Sequence, residues 1–178
     1  MILGLISDTH GLLRDSALRS MSGADLIVHA GDVGKREILD ALKRIAPAVV
    51  VRGNVDIDDW AVALPATAET EAGNARIYIL HDLNDLKIDP AASGISIVVS
   101  GHSHKPWQKV SNGVLYVNPG SAGPRRFQLP ITVARLDLGR TPWSVEFIDV
   151  SGVGGHGPRR REVPRKTGAP DACNNAEC

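Results

Sequence analysis

A chain of 178 residues, 43% hydrophobic and 22% charged, has the length and balance of one globular domain able to bury a core. Twenty Lys and Arg stand against twenty Asp and Glu, so whole-chain charge singles out neither nucleic acid nor a membrane surface as partner. No apolar run approaches the ~20 residues that span a bilayer, and both cysteines, Cys173 and Cys178, fall near the C-terminal end. The folded part therefore has no disulfide framework and no thiolate chemistry, and a cytoplasmic location is expected.

The first element is a strand over Ile2 to Ile6; it lacks a basic lead-in and meets Asp8 too early for a signal peptide. Arg14 to Met21 reads as a helix, with Leu18 and Met21 on one face, followed by a short buried strand, Leu26 to Val28. Lys35 to Ile45 is a clearer helix: Ile38, Leu39, Leu42 and Ile45 recur at helical spacing and Pro47 lies just beyond the end. Strands are expected at Ala48 to Val51, Arg76 to Leu80 and Ile95 to Val99. The alternation up to Val51 predicts a parallel sheet with right-handed crossovers. Trp107 to Val110, Val114 to Val117, Ile131 to Leu136 and Trp143 to Val150 read as antiparallel strands. Ser111-Asn112-Gly113 suits a tight hairpin turn. From Ser151 the periodic pattern stops, so residues 1–150 are expected to form the domain and 151–178 a disordered tail. That tail carries five basic residues against three acidic ones, leaving a slight acidic excess in the domain, and a solvated segment is expected.

Five of the expected strands are each followed by a metal-competent side chain. Asp8 and His10 follow the first, Asp32 the second, Asn54 the third, His81 the fourth, and His102 with His104 the fifth. Ligands gather at the carboxyl ends of parallel strands, so five strands would deliver one cluster. In Asp8-x-His10 and His102-x-His104 an extended backbone puts both side chains on one face. Gly31, Gly53 and Gly101 precede ligands where a close backbone approach is needed. Four histidines, two aspartates and one asparagine exceed one tetrahedral zinc site and suit two metals sharing a carboxylate. The mixed imidazole and carboxylate donors favour Mn, Fe, Co, Ni or Zn over Mg or Ca. Two divalent ions against two aspartates leave about two positive charges, which a phosphate ester and a hydroxide would neutralise.

The joint set, Asp-x-His, Gly-Asp, Gly-Asn-x-Asp, a strand-end His and Gly-His-x-His, resembles the calcineurin-like metallophosphoesterase superfamily over roughly residues 1–150. The short length and Val117-Asn118-Pro119-Gly120-Ser121 are similar to its small bacterial and archaeal phosphodiesterase branch. The resemblance implies an α/β (α+β) fold, a four-layer αββα sandwich of two mixed β-sheets flanked by helices. It implies that Asp8, His10, Asp32 and His104 hold one divalent ion and Asp32, Asn54, His81 and His102 the other, with Mn first among the candidate ions. Asp32, Asn54 and His81 would then act in catalysis through a metal-bridging hydroxide on a small phosphate-ester substrate, a diester in preference to a monoester. Two departures stand out. Val55 occupies the place of a histidine that larger relatives use as general acid, so leaving-group protonation has no assigned residue. Asp82 follows the strand-end histidine, where many relatives have glycine.

His29, three residues before Asp32, is expected to be a hydrogen-bonded core histidine, with orientation of Asp32 as the alternative. Asp56 either supports a ligand histidine or caps its loop. Asn118 to Ser121 would border the site, Arg125 and Arg126 would be solvated rather than bound to phosphate, and His156 would be idle. The alternative function is a non-catalytic protein-binding scaffold on the same fold, resembling the retromer subunit, whose metal site is eroded; here all seven ligand positions are filled. No membrane partner is expected, nucleic acid is disfavoured by the acidic balance of the domain, and the resemblance allows a homodimer.

Overall fold

The computed structural model describes residues 1–152; all but the first two residues of the expected tail, and His156 with it, lie outside the described residues. The elements, in chain order, are β1 (Ile2–Ile6), α1 (Asp15–Met21), β2 (Leu26–His29), α2 (Arg36–Lys43), β3 (Ala48–Val50), α3 (Asp59–Val62), β4 (Thr67–Ala72) and β5 (Ala75–Leu80). A 3-10 turn (Leu83–Asp85) precedes β6 (Ile97–Val99), β7 (Pro106–Ser111), β8 (Val114–Pro119), β9 (Thr132–Asp137) and β10 (Ser144–Asp149).

The strands form two five-stranded mixed sheets, ordered β10-β9-β1-β2-β3 and β4-β5-β6-β8-β7. The expected parallel run is present: β1 pairs with β2 and β2 with β3 in parallel. In the second sheet β5, β6 and β8 also run parallel. The antiparallel pairs lie toward the edges: β9 with β1 and β10, β4 with β5, and β7 with β8. The β7–β8 hairpin turns at Asn112 and Gly113, both at positive φ (50° and 77°), the left-handed pair that a two-residue turn requires.

Alternation along the strands explains the layering. Leu3 and Leu5 of β1, Leu26 and Val28 of β2 and Leu136 of β9 face Ile77, Ile79, Ile97, Val99 and Val117 across the space between the sheets. On the outer side of the first sheet, Ile6, Ile27, Val50 and Val133 receive Ala17 and Met21 from α1 and Ile38, Leu39 and Leu42 from α2. The outer side of the second sheet is covered by the segment around the 3-10 turn, where Leu83, Leu86, Ile88 and Ile95 meet Leu80, Val98 and Val114. The fourth layer of this sandwich is thus a turn and an irregular stretch rather than a long helix.

The sequence pattern gave no sign of β4, α3 or the 3-10 turn. β4 reads Thr-Ala-Glu-Thr-Glu-Ala, an edge strand with a solvated face and only small residues turned inward. Its register comes from pairing with β5 through the Gly73-Asn74 turn rather than from hydrophobicity of its own. What matters for the site is that the C-terminal ends of β1, β2, β3, β5 and β6 meet at one edge of the sandwich.

Candidate metal centre

The loops leaving those strand ends continue to pair after the strands stop. His10 N–H donates to Asp32 O at 2.9 Å, Gly11 N–H to Val33 O at 2.9 Å, and Gly101 N–H to His81 O at 2.9 Å. This places all seven expected ligands around one space. His104 Nε2 lies 3.2 Å from Asp8 Oδ1 and 3.3 Å from His10 Nε2. His10 Nε2 lies 3.8 Å from Asp32 Oδ2, and His81 Nε2 lies 3.3 Å from that same oxygen. Asn54 Oδ1 is 3.0 Å from His81 Nε2 and 3.1 Å from His102 Nδ1. Two triads of close donor atoms could each hold an ion, Asp8–His10–His104 and Asp8–Asp32–His81.

The backbone is bent to achieve this. Asp8, His10, Asp32, His102 and His104 all have φ between 45° and 65°, the left-handed region that non-glycine residues rarely occupy. Such conformations cost about 1–3 kcal/mol each and gather at functional sites. Close approach is also built in: a Cβ on Gly53 would collide with Asp32, and one on Gly101 would sit 2.8 Å from Asp8 Oδ2.

Electrostatics at the site is set by donor atoms that face one another. His81 Nδ1 is 2.7 Å from Ala30 O and so carries the proton, which leaves the Nε2 lone pair facing Asn54 Oδ1 and Asp32 Oδ2. Acceptors aimed at each other repel unless a proton or metal ion lies between them. A proton is partly favoured: burial lowers the His81 pKa, but the Asp32 carboxylate, the Ala30 carbonyl and the Asp8 charge outweigh it, and the net shift is upward. Burial would raise Asp32, but hydrogen bonds from His81 and Val55 N–H and the His81 and His10 charges hold it lower. His10 shifts down because burial outweighs the pull of Asp32 and Asp8. Asp8 Oδ1 is buried without a hydrogen-bond partner and lies 3.2 Å from His104 Nε2. An orphaned carboxylate oxygen beside an imidazole nitrogen is the donor pair a divalent ion takes, so these residues fit a metal.

A family model described as the calcineurin-like phosphoesterase superfamily domain matches residues 1–141. The chain belongs to this superfamily. A probable metallophosphoesterase of Methanocaldococcus jannaschii is 35% identical over 136 residues, 68% of each chain. Phosphodiesterase YfcE of Escherichia coli is 30% identical over 161 residues, covering 77% of this chain and 88% of its own. The solved YfcE structure shares the fold, with a TM-score of 0.66 at 22% identity over 85% of this chain and 94% of that one. Vps29 of Entamoeba histolytica, solved with Zn²⁺, shares it equally, with a TM-score of 0.66 at 22% identity over 84% of this chain and 99% of that one.

In this calcineurin-like chain the remaining candidates divide clearly. His29 is fully buried and its Nε2 lies 3.0 Å from Thr9 Oγ1, whose hydroxyl donates to Val33 O at 2.9 Å. It is a core histidine tying the Asp8 loop to the Asp32 loop through Thr9 and does not touch Asp32 itself. Asp56 accepts from Val33 N–H (3.1 Å), Gly34 N–H (2.9 Å) and Gly53 N–H (2.9 Å), so it braces backbone and meets no histidine. Asn118 Nδ2 donates to Gly101 O at 2.5 Å and Ser121 Oγ to Asp8 O at 3.0 Å, which puts the expected bordering loop against the ligand backbone. Arg125 is exposed, whereas Arg126 Nη2 comes within 3.4 Å of His10 Nε2.

Sequence reasoning took Arg14 for an ordinary helix residue. Its Nη1 donates to Ala122 O and Gly123 O, both at 2.6 Å, fastening the loop that lies over Asp8. Thr9 was also passed over, and its place between Asp8 and His10 was the available signal.

Proposed function

We propose that residues 1–150 form a two-metal phosphoesterase that hydrolyses phosphodiester bonds of small, soluble substrates in the cytoplasm. Asp8, His10, Asp32 and His104 would hold one divalent ion and Asp32, Asn54, His81 and His102 the other, with Mn²⁺ first among the candidates. The observation that carries the reading is the crowding of donor atoms: Asn54 Oδ1 and Asp32 Oδ2 lie 3.0 Å and 3.3 Å from the same His81 Nε2. Asp32 is suited to sharing. Its Oδ1 is taken by Val55 N–H at 3.0 Å, and its Oδ2 faces both His10 and His81.

When bound, two divalent ions would supply Lewis acidity, lowering the pKa of water and neutralising charge that develops on phosphoryl oxygens. The chain's own part is to hold the donors in fixed positions. His81 is fixed by Ala30 O, Asp32 by Val55 N–H, and Asp8 Oδ2 accepts from His102 N–H at 3.1 Å. Val55 offers no proton, so esters whose leaving group departs without protonation are the favoured substrates. The diester preference rests on the name and 30% identity of phosphodiesterase YfcE.

The fold shared with Vps29 supports a second reading, a protein-binding scaffold without turnover. Because that Vps29 structure is a zinc complex, metal content alone does not separate the two. The test pairs elemental analysis with hydrolysis of bis(p-nitrophenyl) phosphate in added Mn²⁺. Two ions per chain with turnover, both lost in Asp32→Ala, are expected. Two ions and no turnover would favour the scaffold, and a chain that takes up no metal would remove the metalloenzyme reading.

A further inference from the structure

We infer that Asp82 is a positioning residue for His102, holding that imidazole with Nδ1 toward the metal space; the inference rests on the two-metal reading above.

His102 needs such a partner more than the other candidate histidines. Its side chain is 46% exposed, against 12% for His10, 6% for His81 and 7% for His104. Packing therefore does least to fix it. Its Nδ1 faces inward, 3.1 Å from Asn54 Oδ1, and its Nε2 faces outward, 3.5 Å from Asp82 Oδ2. A histidine that ligates through one ring nitrogen is oriented by the hydrogen bond its other N–H makes, and a carboxylate in that place also strengthens the donor. His81 has the equivalent arrangement with the opposite nitrogens, Nε2 inward and Nδ1 on the Ala30 carbonyl.

Asp82 is itself held still. Its Oδ1 accepts from Asn84 N–H at 2.9 Å and Asn84 Nδ2 at 3.0 Å, capping the 3-10 turn. The two carboxylate oxygens thus have separate tasks: Oδ1 anchors the side chain and Oδ2 is left pointing at His102. The rings of His81 and His102 meet edge to face at 85° with centroids 5.2 Å apart, so His102 is braced from three directions. Glycine at position 82 would provide none of this. The departure noted in the sequence becomes a specific gain in this chain.

The test is calorimetric titration of metal-stripped protein with Mn²⁺, comparing wild type with Asp82→Asn and Asn84→Ala. Asparagine at 82 keeps an oxygen for the Asn84 cap but turns an amide toward the His102 N–H, donor against donor. Asp82→Asn is expected to weaken one of two Mn²⁺ sites about 10–100-fold and leave the other unchanged. Asn84→Ala, which keeps the backbone N–H on Asp82 Oδ1 but removes the amide anchor, is expected to weaken that same site by a clearly smaller factor. In Zn²⁺-loaded protein, the His102 Nε2–H proton should be visible by NMR and lost in Asp82→Asn. Unchanged affinity at both sites in Asp82→Asn would overturn the inference, as would an equal loss in Asn84→Ala, which would assign the effect to the turn. Wild-type protein binding fewer than two Mn²⁺ ions overturns both this inference and the two-metal reading. Two sites without ester hydrolysis overturn only the enzymatic reading, and the Asp82 result then stands on its own affinities.

Discussion

His29 sits where a charge cannot be solvated. Burial drives its pKa from 6.5 down to about 4, against the opposing pull of Asp56, Asp8 and Asp32. Between those values the unfolded chain binds a proton that the folded chain refuses, so stability must fall as pH falls through that window. At about 1.36 kcal/mol per pH unit the loss amounts to about 3 kcal/mol. Urea denaturation of wild type and His29→Gln at neutral pH and near pH 4 should show a steeper loss of stability in the wild type, since His10 and Asp32 contribute to both. Equal slopes would mean that His29 is not held neutral. Val55 poses a separate question at the same scale. It is 43% exposed beside Asp32, where a histidine could reach a leaving group. Val55→His is expected to raise kcat for diesters with poor leaving groups by about tenfold or more, a fraction of what a positioned acid supplies. Activated p-nitrophenyl esters should gain little. An equal gain on both would point to a general change in the site rather than proton donation.

At the scale of elements, the β2 and β3 loops are joined by one carboxylate. Asp56 satisfies three backbone N–H groups drawn from Val33, Gly34 and Gly53. Removing it strands buried donors, each costing about 1–3 kcal/mol. Asp56→Ala is therefore expected to lose about 3 kcal/mol or more in urea denaturation and to weaken Mn²⁺ binding, because Asp32 and Asn54 ride on those loops. A variant with full metal affinity would show that the loops keep their separation without the brace. The two long-range clamps, Arg14 on Ala122 and Gly123 and Asn118 on Gly101, act the same way on the β1 and β6 loops.

For the molecule as a whole, the fold carries strain that metal binding would offset. Five ligand candidates sit at positive φ, and donor atoms crowd one another across the site. An ion that binds only the folded state stabilises it by about 2.7 kcal/mol at a hundredfold excess over Kd. For a chain of this size that corresponds to a Tm rise of about 5–10 °C per site. Thermal melts of metal-stripped protein with and without Mn²⁺ measure this directly. No shift, together with unchanged melting in EDTA, would contradict a built metal site. Among the described residues no helix is long and apolar enough to cross a membrane.

Much of the site was legible because its chemistry is local. Asp8-x-His10 and His102-x-His104 showed which donors follow a strand, but not by the extended backbone expected of them: all four residues are at positive φ, and bent loops bring each pair together. Gly-Asp and Gly-Asn need only a residue without Cβ beside a ligand. The hydrophobic periodicity of α2 and the apolar runs of β1, β2 and β3 gave the parallel run of the first sheet for the same reason, whereas β8, read as antiparallel, also pairs in parallel with β6. β4 was hidden because an edge strand with one solvated face carries no hydrophobic signature. The duties of Arg14, Thr9, His29, Asp56 and Asp82 were hidden because each depends on contacts across 20 to 109 positions or on which way one side chain turns. The sequence by itself therefore determined the kinds of donor and the strands that end in them. Only the tertiary structure decided which donors face one another and what holds them there, since convergence is a property of packed loops rather than of any segment.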